Sequence, residues 1–215
     1  MCHSLVGSEM CIRDRSSSET TLPANETKKE FDKKPVLERF DHQLKISGLK
    51  TFHTLKPDFS WGCSNIDKLI SKYNLSDYIL LFPFCSEHLQ QKKWPYYDQL
   101  IKLIKQNHPN LKIVIAPGPD EIEKAKKLDA VSILKEDKAI SISELAGLIK
   151  RSKFVVANDT GPAHMAAHLN VKGLSLFGSH TTAHKVSIER ENFKAIQVSD
   201  LKNLSAEKVF ERLVL

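Results

Sequence analysis

The sequence predicts an α/β fold built on a doubly wound parallel sheet, and three observations support this. From Asp77 onward, short apolar, β-branched runs alternate with amphipathic helical segments, the pattern of repeated βαβ units. The apolar run at residues 154–157 is typical of a buried strand. It leads through the turn formers at 158–161 into an Ala-rich helix opened by Pro162, where the missing N–H costs nothing.

The individual elements follow from the same alternation. Strands are predicted at residues 78–82, 111–116, 131–134, 154–157, 173–177 and near 193–198. Helices are predicted from Pro95 onward and at 119–128, 141–151, 162–169 and 205–213. Ser141, followed three residues later by Glu144, forms a capping-box pattern at one helix start. Right-handed crossovers would place a ligand crevice at the carboxyl ends of the strands.

Composition limits the classes of partner. The chain has 215 residues, 41% hydrophobic and 27% charged, with a formal net charge of +6, which suits a soluble protein with one sizeable core. No apolar run is long enough to cross a bilayer. The lysines are dispersed rather than clustered with aromatic residues, so a nucleic-acid partner is not predicted. Mild basicity fits anionic small ligands or an anionic membrane surface.

Cysteine usage indicates a reducing compartment. The four cysteines contain no CxxC pair, so neither a disulfide framework nor a zinc knuckle is predicted. The simplest location is the cytoplasm, with peripheral association at the inner face of the cytoplasmic membrane also compatible.

The amino-terminal third has a different character from the rest. Residues 1–18 have no signal-peptide core and resemble a translated sequencing adapter, so they are interpreted as a non-native or disordered leader. Residues 19–35 are polar and predicted to be a disordered linker. Residues 36–76 mix short helical and irregular signals, and Trp61-Gly62 marks a turn. Residues 19–76 are therefore assigned as linker and domain remnant, and 77–215 as the ligand-binding domain.

Four predicted strands end in residues suited to a polar ligand. The four segments are 83–86, with a loop running on to Lys92-Lys93-Trp94-Pro95, then 117–121, 158–164 and 177–182. A strand, tight turn and helix present backbone N–H groups and a positive dipole end, a geometry that attracts phosphate. Four such loops on one edge of a sheet predict a binding site for a polar ligand.

Single residues in these loops leave alternatives open. Lys92 could neutralise a phosphate or could be an ordinary solvated lysine. Glu121 could hydrogen-bond a ribose or base, or could only complement the helix dipole. Asp159 could face the ligand or only cap its helix. Thr160 and Gly161 would supply hydroxyl and N–H donors to phosphate oxygens.

Other chemistries are disfavoured. His164 and His168 stand four apart on one helix, and His180 and His184 repeat that spacing. However, the first pair lacks the glutamate of a zinc-protease helix, and no cysteine or acidic residue lies at metal-ligand spacing beside it. No metal is therefore predicted. His164 is expected to face the ligand, and His168 to pack. Ser179 has no nucleophile elbow around it, and no dinucleotide or Walker motif is present.

These residues resemble glycosyltransferase family 9, the ADP-heptose:lipopolysaccharide heptosyltransferases. The matching segments are ILLFP with KKWP, APGPDE, and above all NDTGPAHMAAHL followed by GLSLFGSHTT, which together cover about residues 77–200. The resemblance implies the Rossmann-like carboxyl-terminal, donor-binding domain of a GT-B glycosyltransferase. It also implies inverting transfer of heptose from ADP-heptose to a lipopolysaccharide core acceptor, with no metal and no cofactor.

The resemblance also implies roles for particular residues. Lys92, with Lys93 as the register alternative, would touch the donor phosphates, and Glu121 the nucleoside. The remaining donor-binding residues would be Ser86, Asp159, Thr160, Gly161 and His164. Ser179 and Thr181-Thr182 stand where the family usually has a Gly-Pro-Thr loop, so the sugar is not assigned.

The family's other half binds the lipid acceptor and supplies the carboxylate that acts as base. Residues 1–76 are too short and too weakly patterned to form that domain. We therefore expect this chain to hold the donor site, to lack the base, and to bind nucleotide sugar without turnover. The alternatives are a nucleotide-sugar epimerase of GT-B plan and a non-enzymatic flavodoxin-like interaction domain.

Overall fold

The computed structural model describes residues 21–215, so the leader predicted at 1–18 lies outside it. The chain divides into two compact units. One contains the described residues up to Pro57 together with His184–Ser187, and the other contains Asp58–Ala183 and Ile188–Leu215. Among the described helices, none has the length and apolar character needed to cross a membrane.

Within the described residues, the smaller unit contains two helices, α1 (Lys28–Phe31) and α2 (Val36–Ile46). The first lies where the composition predicts disorder. It forms because Thr27 and Glu30 make a capping box, in which the hydroxyl accepts from the Glu30 N–H and the carboxylate from the Thr27 N–H. The Phe31 side chain is buried. The Val36 N–H donates to the Lys185 carbonyl at 2.9 Å, which joins the segment His184–Ser187 to this unit.

The larger unit is built on one six-stranded sheet in which every pairing is parallel. The strands are β1 (Tyr78–Phe82), β2 (Lys112–Ile115), β3 (Val131–Ser132), β4 (Phe154–Asn158), β5 (Gly173–Phe177) and β6 (Phe193–Gln197). Their order is β3-β2-β1-β4-β5-β6, the doubly wound order of a Rossmann-type sheet. The predicted fold class is confirmed.

Helices precede the first strand, follow the last and form most of the connections between them. They are α3 (Asp67–Tyr73), α4 (Tyr97–Asn107), α5 (Ile122–Ala125), α6 (Ile142–Arg151), α7 (Gly161–His168) and α8 (Ala206–Phe210), with 3₁₀ turns at Ser60–Gly62, Glu87–Lys92, Pro119–Glu121 and Leu201–Asn203. Apolar side chains spaced along α4, such as Leu100, Ile101 and Ile104, are almost fully buried in the core, as helical periodicity requires.

Strand order locates the crevice of the sheet. The chain runs outward from β1 through β2 to β3, then returns to the other side of β1 to form β4. β1 and β4 are paired in register up to Phe82 opposite Ala157. Loops that leave two such strands diverge to opposite faces and open a crevice at their carboxyl ends. The loop at Pro83 and the loop at Asp159 therefore flank this switch point.

The predicted and observed elements differ mainly at helix ends. The helix predicted at 119–128 is only a 3₁₀ turn followed by α5, and the helix predicted at 205–213 spans Ala206–Phe210 with Ser205 as its N-cap. The helix predicted from Pro95 begins at Tyr97. The first two helices are shorter than predicted because apolar residues beyond their hydrogen-bonded turns, such as Leu128 and Leu213, also pack on the core.

Gly147 in α6 is expected to be sensitive to the smallest possible substitution. A Cβ there would overlap the Ser64 carbonyl oxygen and lie 2.9 Å from Ile66 Cγ2. Gly147→Ala gains up to about 1 kcal/mol of helix propensity, but overpacking against fixed backbone costs more. We expect the free energy of unfolding to fall by about 2 kcal/mol, measured by urea denaturation.

The control is Ser143→Ala, at an exposed position of the same helix, which should change stability by less than about 0.5 kcal/mol. A Gly147→Ala protein as stable as the parent would show that α6 does not approach the Ser64 backbone closely.

Candidate functional site

Trp94 fixes the loop that follows β1. Its side chain is almost fully buried, and its indole Nε1–H donates to the Leu204 carbonyl at 2.8 Å. Its backbone N–H donates to Asn158 Oδ1 at 3.1 Å. The ring also packs edge-on against Tyr97, with centroids 4.9 Å apart. The backbone at Lys92, two residues earlier at the end of a 3₁₀ turn, is therefore held in place.

Asn158 joins the two loops at the switch point. This last residue of β4 has no exposed surface. Its amide oxygen accepts from Trp94 N–H, and its amide nitrogen donates to the Phe84 carbonyl at 3.4 Å. A buried amide without partners would cost about 1–3 kcal/mol, so both contacts are expected to resist displacement.

Three basic side chains contact the Asp159 carboxylate. This carboxylate is 4% exposed, and Oδ2 accepts from Lys92 Nζ at 2.7 Å and from His180 Nε2 at 3.0 Å. His164 Nε2 lies 3.5 Å from the other oxygen, Oδ1. Lys92, Asp159, His164 and His180 are called the Asp159 cluster below. They come from the loop after β1, the end of β4, α7 and the loop after β5.

The pKa of Asp159 reflects this arrangement. Burial alone would raise the pKa of the carboxyl, but hydrogen bonds from His164, Lys92 and His180 outweigh burial and hold the pKa well below its usual value. Asp159 is therefore an ionised acceptor at neutral pH. The sequence alternative in which it only caps α7 is wrong, since Thr160 is the N-cap residue and Asp159 is bonded to the cluster.

The start of α7 faces the switch point. Thr160 makes no side-chain capping bond, and its hydroxyl donates instead to the Asn158 carbonyl at 3.2 Å. A Cβ on Gly161 would meet nothing within 4 Å, so the space beside this first helical residue is open. An open helix start offers backbone N–H groups and the positive dipole end to an anion.

A cavity of about 360 Å³ adjoins this helix start, at the lower end of the size range for small-ligand sites. Four of the seven predicted site residues line it, namely Ser86, Glu121, Thr160 and Gly161. The other three, Lys92, Asp159 and His164, belong to the Asp159 cluster. The adjacent positions Asp159 and Thr160 connect the two groups.

Glu121 has a structural contact as well as a place in the cavity wall. Its Oε2 accepts from the Gly118 N–H at 2.8 Å and closes the turn after β2. The carboxylate is thus oriented by the turn, and both sequence interpretations, the local one and the ligand-facing one, are compatible with its position.

Sequence reasoning missed two parts of the site. One is the role of His180, which lies in the predicted strand-end segment 177–182 but is singled out in the sequence only for its spacing from His184. The signal available was its position two residues beyond Gly178, just after the end of a predicted strand. The other is the apolar cavity wall formed by Ala139, Ile140, Ile142 and Leu145. This wall comes from the start of α6 and the segment before it, where the capping box of Ser141 and Glu144 marks a helix start and not a ligand site.

His168 is partly buried and contacts Arg190. Burial, reinforced by the nearby charge of Arg190 and by His164, lowers its pKa to about 4. Arg190 donates to its Nδ1 at 3.3 Å, so the ring is neutral at physiological pH. Within residues 21–215, no group of three or more His, Cys, Asp or Glu side chains is arranged to hold a metal ion.

Comparison with known proteins gives a consistent picture. Residues 16–213 match the model of glycosyltransferase family 9 (heptosyltransferase). Lipopolysaccharide heptosyltransferase 1 of Campylobacter coli is 29% identical over 114 residues, which are 49% of this chain and 33% of that protein. This chain therefore matches about a third of that relative's length.

Solved structures agree on the fold. E. coli heptosyltransferase WaaC with ADP superposes with a TM-score of 0.60 at 22% identity, covering 81% of this chain and 54% of that one. A family 9 glycosyl transferase from Veillonella parvula gives a TM-score of 0.63 at 15% identity, covering 89% and 61%. At these identities the likeness concerns the fold, which is the GT-B type predicted from the sequence.

Asp159→Asn should make stability less dependent on pH. Because the folded pKa of Asp159 is depressed, its carboxylate stabilises the protein fully above the unfolded pKa of about 3.9. That stabilisation is lost as pH falls through this value toward the folded pKa. We expect the free energy of unfolding of the variant to be on the order of 2 kcal/mol lower than that of the parent at pH 7. This difference should shrink below about pH 4.

Urea denaturation at pH 7 and pH 3.5 measures both values. Asp98→Asn, at an exposed position, is the control and should cost less than about 0.5 kcal/mol at neutral pH. A difference between Asp159→Asn and the parent that does not shrink at pH 3.5 would contradict the depressed pKa.

Proposed function

This chain belongs to glycosyltransferase family 9, and on that basis we propose that its site binds the ADP part of an ADP-heptose donor. The observation that carries the proposal is that an apolar cavity adjoins the Asp159 cluster at the start of α7. A nucleoside diphosphate has the same two parts, an apolar ring system and an adjoining anion.

The cavity is the proposed nucleoside subsite. Its wall offers Phe84, Ile142 and Leu145 to a flat ring and the Glu121 carboxylate to ribose or base donors. Ile142 is 69% exposed, so its side chain is accessible to a ligand in the cavity. Ser86 lies at the same wall.

The diphosphate subsite is proposed at the start of α7. Thr160 and Gly161 would donate to phosphate oxygens, and Lys92 would leave Asp159 to neutralise them. Lys92 is the cation within reach of this helix start, which supports it over Lys93, the exposed register alternative. Positive charge fixed beside a leaving diphosphate stabilises the transition state of glycosyl transfer.

The reaction we propose is inverting, metal-independent transfer of heptose to a lipopolysaccharide core acceptor. Such a transfer needs a base to activate the acceptor hydroxyl. Asp159 is unsuited, because a carboxyl whose pKa lies far below neutrality accepts protons poorly. Glu121 is engaged with the Gly118 N–H. We therefore place the base outside the described residues, and acceptor binding and peripheral association with the inner membrane belong to the same proposal.

Calorimetric titration of the full chain with ADP, UDP and GDP tests the donor site. ADP should bind, and UDP and GDP should bind at least about tenfold more weakly. The reason is that the proposed ADP-heptose donor would place adenine in the cavity. Lys92→Ala should weaken ADP binding by roughly 10- to 100-fold, the equivalent of one charge-assisted contact. Lys93→Ala is the matched control and should bind within about twofold of the parent.

Binding of UDP or GDP in preference to ADP would contradict ADP-heptose as the donor. Binding of no nucleotide would contradict the proposed donor site in this chain, and an unchanged affinity in Lys92→Ala would contradict the role of that lysine.

A second measurement concerns turnover. Incubated with ADP-heptose and a lipopolysaccharide core acceptor, the chain should release no more ADP than it does without the acceptor, because neither Asp159 nor Glu121, the two carboxylates at the described site, suits the role of base. A family enzyme of full length provides the positive control for the assay. Acceptor-dependent ADP release by the 215-residue chain would show that it holds a base of its own.

A further inference from the structure

We infer that His180 is a positioning residue of the donor site: its Nε2–H holds the Asp159 carboxylate so that Lys92 can leave it for an incoming diphosphate. The inference rests on the proposed function, since it concerns how the diphosphate subsite becomes available.

The geometry begins with one shared oxygen. Lys92 Nζ and His180 Nε2 lie 2.7 Å and 3.0 Å from the same atom, Asp159 Oδ2. If Lys92 alone balanced this carboxylate, its departure would leave a 4%-exposed charge unsatisfied, which is strongly unfavourable. Such a cost would oppose any phosphate that competes for the lysine. A second donor on the same oxygen reduces that cost.

The two donors differ in mobility. The Lys92 side chain is 23% exposed, whereas that of His180 is 9% exposed. Lysine ends in a flexible four-carbon stem. The His180 ring instead lies parallel to Phe177, with an interplanar angle of 12° and centroids 6.0 Å apart. The lysine can therefore swing toward a ligand while the histidine remains in place.

Gln197, at the end of β6, fixes the His180 backbone. Its amide nitrogen donates to the carbonyls of Gly178 at 2.6 Å and Thr181 at 3.0 Å. Its amide oxygen accepts from the Ala183 N–H at 3.3 Å. One side chain thus bonds to residues on both sides of His180 and holds the loop in a single shape.

The hydrogen-bond pattern also assigns the tautomer. An ionised carboxylate only accepts, so the nitrogen facing Asp159 must carry the proton. The other nitrogen, Nδ1, is buried and has no hydrogen-bond partner within the described residues. His180 therefore donates to Asp159 through Nε2, and Lys92 is the donor that is free to be exchanged.

The test is a double-mutant cycle on the full chain, read as ADP affinity by calorimetry. His180→Phe keeps an aromatic ring against Phe177 but removes the donor. We expect it to weaken ADP binding about tenfold, the equivalent of one hydrogen bond to a charged group. His180→Gln, whose amide nitrogen reaches the position of Nε2, should restore affinity to within about threefold of the parent.

The Lys92→Ala background distinguishes positioning from general damage. If His180 acts by freeing Lys92, His180→Phe should cause no further loss of ADP affinity once that lysine is absent. His184→Phe, at an exposed position four residues along the chain, is the control and should bind like the parent. Thermal unfolding of each variant verifies that it folds. If His180→Phe fails to fold, His180→Asn replaces it, since its shorter amide cannot reach Asp159.

The outcomes separate the two proposals. Failure of the parent chain to bind ADP contradicts the proposed function itself. ADP binding by the parent with equal affinity in His180→Phe overturns the role of His180. Equal losses from His180→Phe with and without Lys92, or no rescue by His180→Gln, assign the residue to structure alone and likewise overturn the inference.

Discussion

The arrangement of this site depends on one constraint: two adjacent polar side chains at the end of β4, Asn158 and Asp159, are almost completely buried. Buried amides and carboxylates must be hydrogen-bonded, and neither finds its partners within β4. Asn158 binds the backbone of the loop after β1. Asp159 binds side chains from three other segments. Satisfying these two residues therefore assembles the loops around the switch point.

The same constraint links stability to ligand binding. An uncompensated carboxylate at position 159 would destabilise the fold, so the sequence surrounds it with donors whose combined effect lowers its pKa. Those donors include Lys92, the cation best placed for a phosphate at the start of α7. In the empty site, Asp159 neutralises Lys92, the proposed ligand-binding cation. Positive charge therefore does not accumulate there, and the empty site is stable.

How much could be predicted from the sequence differs between the sheet and the site. The bounds of β1 and β5 are those predicted, because buried parallel strands are continuous apolar runs between turn formers. Helix ends were less accurate around Pro119 and Ser205, where packing continues beyond the helix. Motif reasoning found Lys92, Glu121 and Asp159, whose donor roles remain predictions. It missed His180, because contact with Asp159 requires the adjacent placement of β4 and β5, and a spacing of 21 residues does not indicate it.

In the proposed donor site, exchange of Lys92 between two anions also affects selectivity. When the lysine moves from Asp159 to a diphosphate, one ion pair replaces another, so the net electrostatic gain is smaller than for a lysine that was free in water. The diphosphate alone is then a weak ligand, and the nucleoside must supply the remaining affinity. Its contribution comes from the cavity of about 360 Å³ with apolar walls from Phe84, Ile142 and Leu145. A site of this kind discriminates against inorganic phosphates in favour of a nucleotide, because its affinity depends on both subsites being filled at once.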